Sequence, residues 1–303
     1  MTRRSFLFAS AAAGLTAATT DPAVDAHIHL FASDQTRFPY HANATYRPEA
    51  SDFEDYNAFV GQSSLRSTVI VHPEPYQDDH SYLLHCFANE PRPGFFKGTC
   101  LFDPADPATP ERIQKLMGSA PGRIVALRIH AMSPPGEKPL SAGPIKNRDL
   151  SDPQVEKTWR SAGELGLAIQ MHFLPHHAPA IAKLVERNPQ VPVVLDHLGR
   201  AGMGSDDDVD AVVDLSRFRN AYLKFSGVRY SSKQDWPYED AKPLVRRFFD
   251  AYGPDRILAG GFGHSVEEFE RAQELIDQHF DYATTGDRAA IRNGTASRLF
   301  HLQ

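Results

Sequence analysis

Short apolar runs alternate with amphipathic stretches along the chain from Ala23 onwards. The runs are rich in β-branched residues and lack a strict polar–apolar alternation, which is typical of strands covered on both faces. The predicted strands are Ala23–His29, Ser67–His72, Phe95–Phe102, Ile124–His130, Leu167–Phe173, Pro192–His197, Ala221–Ser226 and Arg256–Gly260. The predicted helices are Asp52–Ser64, Asp79–Asn89, Pro107–Met117, Pro153–Leu165, Pro175–Arg187, Asp207–Ser216, Glu239–Ala251, Val266–His279 and Asp287–Phe300. This alternation predicts an α/β fold, and eight such units predict closure into a (β/α)8 TIM barrel.

The chain length suits one barrel. It has 303 residues, and a barrel of this type needs ~250. We therefore interpret residues 21–303 as a single domain. Long loops follow the first, fourth and seventh predicted strands, at Phe31–Ser51, Ala131–Asp152 and Gly227–Tyr238. All three leave the C-terminal ends of strands, where barrel enzymes build their sites.

The first 20 residues have the pattern of an export signal. Arg3-Arg4 precedes an apolar, alanine-rich stretch from Phe6 to Thr16, and small residues follow it. This order predicts a twin-arginine-type signal peptide over residues 1–20 and a periplasmic or secreted protein. The apolar stretch is too short to span a bilayer.

Composition and charge narrow the class of partner. The formal net charge is -6 and no long basic run is present, which argues against binding to nucleic acid or to anionic membranes. A small-molecule substrate is the expected partner, and the sequence leaves the oligomeric state open. The two cysteines, Cys86 and Cys100, are interpreted as buried free thiols, because neither has a Cys-x-x-Cys neighbour.

Polar residues suited to chemistry fall at the ends of the predicted strands. They are His27, His29, His72, Arg128, His130, His172, Asp196 and His197. The C-terminal ends of barrel strands meet around one opening, so these distant positions should form one polar cluster.

His27 and His29 are spaced i and i+2, which places both side chains on the same face of a strand. Together with His172 they could bind a divalent metal ion and leave one position for water, whose pKa would fall toward ~7. Asp25 or Asp196 would then accept hydrogen bonds from the ligating histidines. The alternative is a polar site that works without a metal.

Three of these features resemble the amidohydrolase superfamily: the His27-x-His29 pair, a later strand that ends near His172, and the run Asp196-His197-Leu198-Gly199. The resemblance is greatest to a branch of TIM-barrel hydrolases that includes sugar lactonases and 2-pyrone-4,6-dicarboxylate lactonase. It implies hydrolysis of a small lactone, carboxylated or sugar-derived, with zinc, manganese or no metal.

The resemblance also implies roles for individual residues. His172 and His197 correspond to catalytic groups. Arg128 would hold a carboxylate substituent of the substrate, because a guanidinium group binds carboxylate through two hydrogen bonds. The other substrate-binding candidates are Arg200, His130 and Tyr46. Either arginine could instead be an ordinary ion-pair partner.

The end of the eighth strand departs from the family pattern. Relatives usually carry Gly-Ser-Asp or Gly-Gly-Asp there, and the Asp acts as general base on water. Here the sequence reads Gly260-Gly261-Phe262-Gly263-His264. Either Phe262 replaces the Asp, or the Asp is deleted and Phe262 is the aromatic residue that usually follows it. Neither register leaves a carboxylate, and phenylalanine cannot accept a proton. His264 is the candidate catalytic replacement. The absent carboxylate leaves two alternatives to a hydrolase: a decarboxylase or hydratase, and a non-catalytic binding protein.

Overall fold

The computed structural model describes residues 22–302, so the predicted signal peptide at residues 1–20 lies outside the described residues. Eight parallel strands form one sheet, and each pairs with the next along the chain. The strands are β1 (Ala23–Ile28), β2 (Leu65–Val71), β3 (Phe96–Leu101), β4 (Ile124–Ala131), β5 (Ala168–Phe173), β6 (Val193–Leu195), β7 (Ala221–Phe225) and β8 (Ile257–Ala259). This order confirms the predicted (β/α)8 barrel.

Several of the α-helices between and after the strands begin at a side chain that caps the helix. Asp152 accepts a hydrogen bond from the N–H of Gln154 at the start of one helix, and Ser265 does the same for Glu268 at the start of another. Within residues 22–302 the helices are α1 (Phe53–Val60), α2 (Ser81–Ala88), α3 (Thr109–Ser119), α4 (Pro153–Glu164), α5 (Ala178–Arg187), α6 (Asp206–Asp214), α7 (Lys242–Tyr252), α8 (Val266–His279), α9 (Thr285–Ala289) and α10 (Thr295–Phe300).

Many boundaries shift by a few residues from the sequence prediction, and two of the differences have a clear backbone cause. The sixth strand ends at Leu195, because the backbone from His197 onwards enters a left-handed conformation. The predicted terminal helix Asp287–Phe300 is divided, since a π-helical turn at Ala290–Gly294 separates α9 from α10. A π turn adds a residue to the helical repeat and so redirects the chain.

Two apolar clusters support the barrel. The larger one fills the space between strands and helices and includes Trp159 of α4 and Phe248 of α7. The smaller one is built from strand residues such as Val24 and Leu258, and Phe300 of α10 packs against it. Burial of each such side chain stabilises the fold by about 1.5–3 kcal/mol. The strand ends that carry the polar residues are therefore held in place by packed apolar side chains.

The last strand meets the first at a buried carboxylate. Asp25 Oδ1 accepts hydrogen bonds from the backbone N–H groups of His27 at 2.9 Å and Gly261 at 2.8 Å. Asp25 Oδ2 accepts a third from the N–H of Phe262 at 2.9 Å. A Cβ atom on Gly260 would lie 2.7 Å from the backbone nitrogen of His27. A glycine is therefore needed where β8 approaches β1.

Cys86 and Cys100 are both buried free thiols, as the sequence predicted. Burial raises the pKa of Cys100 to about 12, so this thiol stays protonated and unreactive. Among residues 22–302, no helix is long and apolar enough to cross a membrane.

Candidate active site

The structure brings five histidines from four strands into one chain of ring contacts at the C-terminal end of the barrel. The ring centroids of His27 and His29 are 4.9 Å apart, and those of His27 and His197 are 4.5 Å apart. His172 continues the chain at 5.5 Å from His197, and His130 lies 5.1 Å from His172. These side chains face one another across the mouth of the barrel, as expected for groups at neighbouring strand ends.

The hydrogen bonds of the first-strand pair fix the proton on His29. Its Nδ1 atom lies 2.7 Å from the carbonyl oxygen of Val71, which can only accept. Nδ1 therefore carries the hydrogen, and the lone pair on Nε2 faces Nε2 of His27 at 3.3 Å. The two first-strand nitrogens are close enough to share either a proton or a metal ion.

A lysine that the sequence analysis did not select lies beside this pair. Lys224 is at the end of β7 and is fully buried. Its ammonium group is 3.0 Å from Asp196 Oδ1 and 3.3 Å from His27 Nδ1. The signal in the sequence was a single lysine inside an otherwise apolar predicted strand, because a buried lysine is rare unless it is paired.

Asp196 is the carboxylate at the centre of the cluster. Its Oδ2 atom accepts hydrogen bonds from Arg128 at 3.1 Å and from Gln170 at 3.0 Å. Burial alone would raise the pKa of Asp196, but the positive charges of Lys224 and Arg128 outweigh burial and hold that pKa well below its usual value. Asp196 therefore remains ionised, and its pairing with two cations makes it a weak base.

The expected acceptors for the histidines behave differently from each other. Asp196 Oδ1 lies 3.5 Å from His27 Nδ1, so it is near a candidate ligand. Asp25 accepts only backbone hydrogen bonds among those the described residues show. Asp25 therefore joins β1 to the residues after β8 and does not hold a histidine ring.

A short stretch of left-handed backbone after β6 carries two residues of the site. His197, Leu198, Gly199 and Arg200 have φ angles of 56°, 56°, 61° and 50°. A Cβ atom on Gly199 would lie 2.6 Å from Val212 Cγ1, so a larger residue would not fit. This turn directs His197 toward the other histidines and returns Arg200 to the same opening.

Arg200 contacts two groups at the mouth of the barrel. It donates a hydrogen bond from Nη2 to Nε2 of His172 at 2.8 Å. Its guanidinium carbon also lies 3.9 Å from the ring centroid of Tyr230, in a cation–π contact. Because Nε2 of His172 accepts this hydrogen bond, the hydrogen of a neutral His172 ring must be on Nδ1.

Buried polar atoms without hydrogen-bond partners are concentrated in this region. Within residues 22–302 they include Nε of Arg128, Nε of Arg200, Nδ1 of His172 and Nε2 of His130, together with two acceptors, Oε1 of Gln170 and the Oδ1 atom of Asp196 that faces Lys224. The first three are N–H donors. Such groups are costly to leave unpaired, so their convergence indicates a binding site for a ligand rich in acceptor atoms.

The cluster histidines are neutral at physiological pH. Burial lowers the pKa of His29 to about 3 and that of His197 to about 3. Burial also lowers the pKa values of His27, His130 and His172 well below the usual range. Each ring therefore has one nitrogen that accepts and one that donates.

Of three further candidate positions, His264 and His72 lie away from these contacts. His264 Nδ1 is 3.0 Å from Ser51 Oγ, and its ring packs against Tyr56. Among the described residues, its ring shows no contact with the cluster histidines. Tyr46, in the loop after β1, is close enough to the cluster to interact with Arg128: burial raises the pKa of Tyr46 to about 12, and the charge of Arg128 partly opposes the rise. His72 hydrogen-bonds the carbonyl of Gln77 and belongs to a separate buried pair of histidines.

Phe262 follows β8, in the stretch where the resemblance led us to expect a carboxylate. It is buried, and its ring lies 5.9 Å from that of Phe269 on α8. An open cavity of about 430 Å³ adjoins it between β8, α8 and the loop after β7, and this cavity reaches Ser226. The side chain here supports packing and cannot activate water.

Metal-ligating side chains approach one another most closely, within the described part of the chain, at His27, Asp196 and His197. Both oxygens of this carboxylate already face cations or an amide N–H. Nε2 of His172, a predicted ligand, faces Arg200 instead. A donor set that is already paired with fixed positive charges does not fit a divalent ion well.

A family model described as "Amidohydrolase" matches residues 24–302 of this chain. A 4-sulfomuconolactone hydrolase from Hydrogenophaga intermedia is 28% identical over 288 residues, which cover 91% of this chain and 88% of that protein. An L-fucono-1,5-lactonase from Burkholderia ambifaria is 24% identical and covers 92% of this chain and 95% of its own.

Solved structures share the fold at low sequence identity. A probable 2-pyrone-4,6-dicarboxylic acid hydrolase from Acinetobacter baumannii has a TM-score of 0.72 at 18% identity, over 92% of this chain and 99% of that one. A Burkholderia multivorans amidohydrolase with bound zinc has a TM-score of 0.71 at 17% identity, over 93% and 100%. A 5-carboxyvanillate decarboxylase from Sphingomonas paucimobilis has a TM-score of 0.63 at 12% identity, over 93% and 99%.

Proposed function

The chain belongs to the amidohydrolase family, and from that premise we propose that it hydrolyses a small lactone that carries an acidic substituent. The family match spans nearly the whole described barrel, and the chain is therefore an enzyme of this hydrolase family. Two relatives that align over most of their length are named for lactone hydrolysis. This agreement supports a cyclic ester as the substrate class.

The observation that carries the proposal is the set of buried N–H donors without acceptors. Arg128, Arg200 and His172 each contribute one. A carboxylated lactone offers a carbonyl oxygen, a ring oxygen and a carboxylate, all of which accept hydrogen bonds. Such a ligand would satisfy groups that are otherwise left unpaired in a buried site. A neutral apolar ligand would leave them unsatisfied.

Residues of this chain can divide the hydrolytic step among them. His172 Nδ1–H and Arg200 would stabilise the oxyanion that forms when water attacks the lactone carbonyl. His197 Nδ1 lies 2.9 Å from Ser226 Oγ. When Nδ1 donates to this hydroxyl, Nε2 of His197 can accept the proton of the attacking water and pass it to the leaving ring oxygen. The pKa of about 3 for His197 requires that this transfer leave no lasting imidazolium. Arg128 would orient the acidic substituent.

The experiment is pH-indicator hydrolysis of lactones, with and without a carboxylate, by the protein lacking residues 1–20. We expect turnover of a carboxylated lactone and a fall in kcat/KM of about 10²–10³-fold in His172→Ala, the usual effect of removing one oxyanion donor. His301→Ala is the matched control, because His301 is exposed at the end of α10. Full activity in a folded His172→Ala protein would contradict the site.

Decarboxylation of an aromatic acid is the second candidate, and the Phe262 substitution favours it, because that reaction does not require a carboxylate to activate water. The same panel should include aromatic carboxylic acids with CO2 detection. CO2 release without lactone turnover would replace the hydrolase proposal with a lyase. Tight binding of these ligands without any turnover would indicate a non-catalytic binding protein.

We also propose that the protein is exported through a twin-arginine signal. Arg3 and Arg4 ahead of the apolar stretch support this proposal. Fractionation of cells expressing the full chain and an Arg3→Lys/Arg4→Lys variant would test it. The variant should stay in the cytoplasm, and equal export of both proteins would contradict the signal.

A further inference from the structure

We propose that the ammonium group of Lys224 takes the place of a divalent metal ion in this site, and that this lysine prevents the His27–His29 pair from binding one. The inference concerns the composition of the site and holds for any substrate. It makes Lys224 a positioning residue, which acts through His27 and Asp196.

The hydrogen-bond geometry orders the protons along one chain of groups. An ammonium group only donates, so the 3.3 Å contact with Lys224 assigns the lone pair to Nδ1 of His27. Asp196 Oδ1 lies 3.5 Å from the same nitrogen but only 3.0 Å from the ammonium group, with which it pairs. The hydrogen of His27 is then on Nε2 and points at Nε2 of His29, 3.3 Å away. His29 in turn donates from Nδ1 to the carbonyl of Val71 at 2.7 Å. Both ring N–H groups thus have acceptors without a metal.

A metal ion would need the opposite proton arrangement. Ligation by both first-strand histidines requires a lone pair on each Nε2 atom. The hydrogen of His27 would then have to occupy Nδ1, where it would point at the ammonium group of Lys224. The spacing of the two Nε2 atoms alone fits either case, but the contact of Lys224 with Nδ1 of His27 favours the shared proton.

The charges around the pair act in the same direction. Lys224 and Arg128 both face Asp196, and Arg200 lies on the far side of the cluster against His172. Two of these cations thus pair with one ionised carboxylate, and Arg200 is a third cation in the same cluster. Asp25, a second buried carboxylate at this end, accepts three backbone N–H groups. Adding a divalent ion would increase an existing excess of positive charge.

The absent eighth-strand carboxylate is consistent with this assignment. Phe262 is 2% exposed and offers no ligand atom. The position that would help to neutralise a metal is therefore apolar, whereas the ammonium group of Lys224 lies 3.0 Å from Asp196. The site keeps a cation beside its carboxylate, but that cation is a side chain.

The test uses metal alone as the probe. Wild type, Lys224→Met and Lys224→Arg are each incubated with excess Zn²⁺, passed through gel filtration and measured for bound zinc; Co²⁺ titration follows the visible absorption of a four-coordinate site. Wild type and Lys224→Arg should retain no stoichiometric metal. Lys224→Met should gain one site, with an affinity about 10- to 100-fold higher than wild type, the size of effect that groups beside ligating histidines have elsewhere.

A second substitution assigns the gained metal to this site. Lys224→Met/His29→Ala should lose the zinc that Lys224→Met gains. Lys224→Gln provides a less apolar replacement in case Lys224→Met does not fold, as judged by circular dichroism. Stoichiometric metal in wild type, or a folded Lys224→Met and Lys224→Gln pair that gains none, would overturn the proposal. Neither readout depends on lactone turnover, so failure here is distinct from failure of the proposed function.

Discussion

Two aspartates at the same end of the barrel have equal burial and opposite surroundings. Asp25 on β1 and Asp196 after β6 are both 0% exposed. The Asp25 carboxylate accepts three backbone N–H groups and, among the described residues, forms no ion pair within 4 Å. The Asp196 carboxylate contacts Lys224 and Arg128. Burial therefore does not decide what a buried carboxylate does; its partners decide.

The pKa values of the two groups express this difference. Burial raises the pKa of Asp25, and its three backbone hydrogen bonds only partly oppose the rise. Burial would also raise the pKa of Asp196, but the adjacent cations reverse the direction and lower it strongly. The backbone amides around Asp25 thus join two strands, while the two cations beside Asp196 keep it ionised at the centre of the histidine cluster.

The strongest test of this contrast is Asp196→Asn. It removes the only carboxylate partner of Lys224 and Arg128 within the described residues, and so leaves two buried cations unpaired. We expect a loss of about 3–5 kcal/mol in the free energy of unfolding and no detectable turnover. Urea unfolding and the lactone assay measure these effects. A variant within ~1 kcal/mol of wild type would show that solvent or another group compensates the cations.

Asp25→Asn should have a smaller effect of a different kind. The amide retains one acceptor oxygen, so at least one of the N–H groups of His27, Gly261 and Phe262 loses its partner. We expect a loss of about 1–3 kcal/mol in the free energy of unfolding. Substrate KM should change less than in Asp196→Asn, because no charge in the histidine cluster is altered. An equal loss of turnover per folded molecule would contradict the division of roles.

The smallest predicted effect is the pH dependence of the difference in free energy of unfolding between wild type and Asp25→Asn. Because the pKa of Asp25 is raised in the folded state, folding favours its protonated form. Wild type therefore gains stability from this group as pH falls toward the raised pKa, and loses it as pH rises through that value.

The Asp25→Asn variant has no titrating group at this position. The histidines titrate in both proteins, so their contribution cancels when the two free energies of unfolding are subtracted. The stability gap between wild type and Asp25→Asn should widen by up to about 1 kcal/mol from pH 7 to pH 5. Urea unfolding at both pH values measures it. A gap that narrows would show that Asp25 is ionised in the fold throughout this range.

The same contrast separates what the sequence could predict from what it could not. Strand periodicity placed His27, His172 and His197 at strand ends, and a barrel brings strand ends together whatever lies between them. The role of Asp25 depends on Gly261, which is 236 positions away in the chain. No local pattern encodes a contact of that separation.

Two further residues show the limits of strand patterns. Lys224 lies in a run whose neighbours are apolar, so its partner was invisible until Asp196 was placed beside it. His264 was the expected substitute for the eighth-strand carboxylate, but the turn held by Asp25 directs it toward Ser51. Lone polar residues in buried strands therefore deserve as much weight as recognised motifs.

The hydrogen bonds between Asp25 and the residues after β8 can form only late in synthesis. The partners of Asp25 are 236 and 237 residues apart from it in sequence. At about 5–20 residues per second, a ribosome needs roughly 10 to 50 s to make that length. The edge of β1 that faces β8 in the barrel has no strand beside it during this interval. A nascent chain stopped before Gly261 would already contain the cluster histidines and Lys224, but it would lack the backbone amides that close the barrel around them.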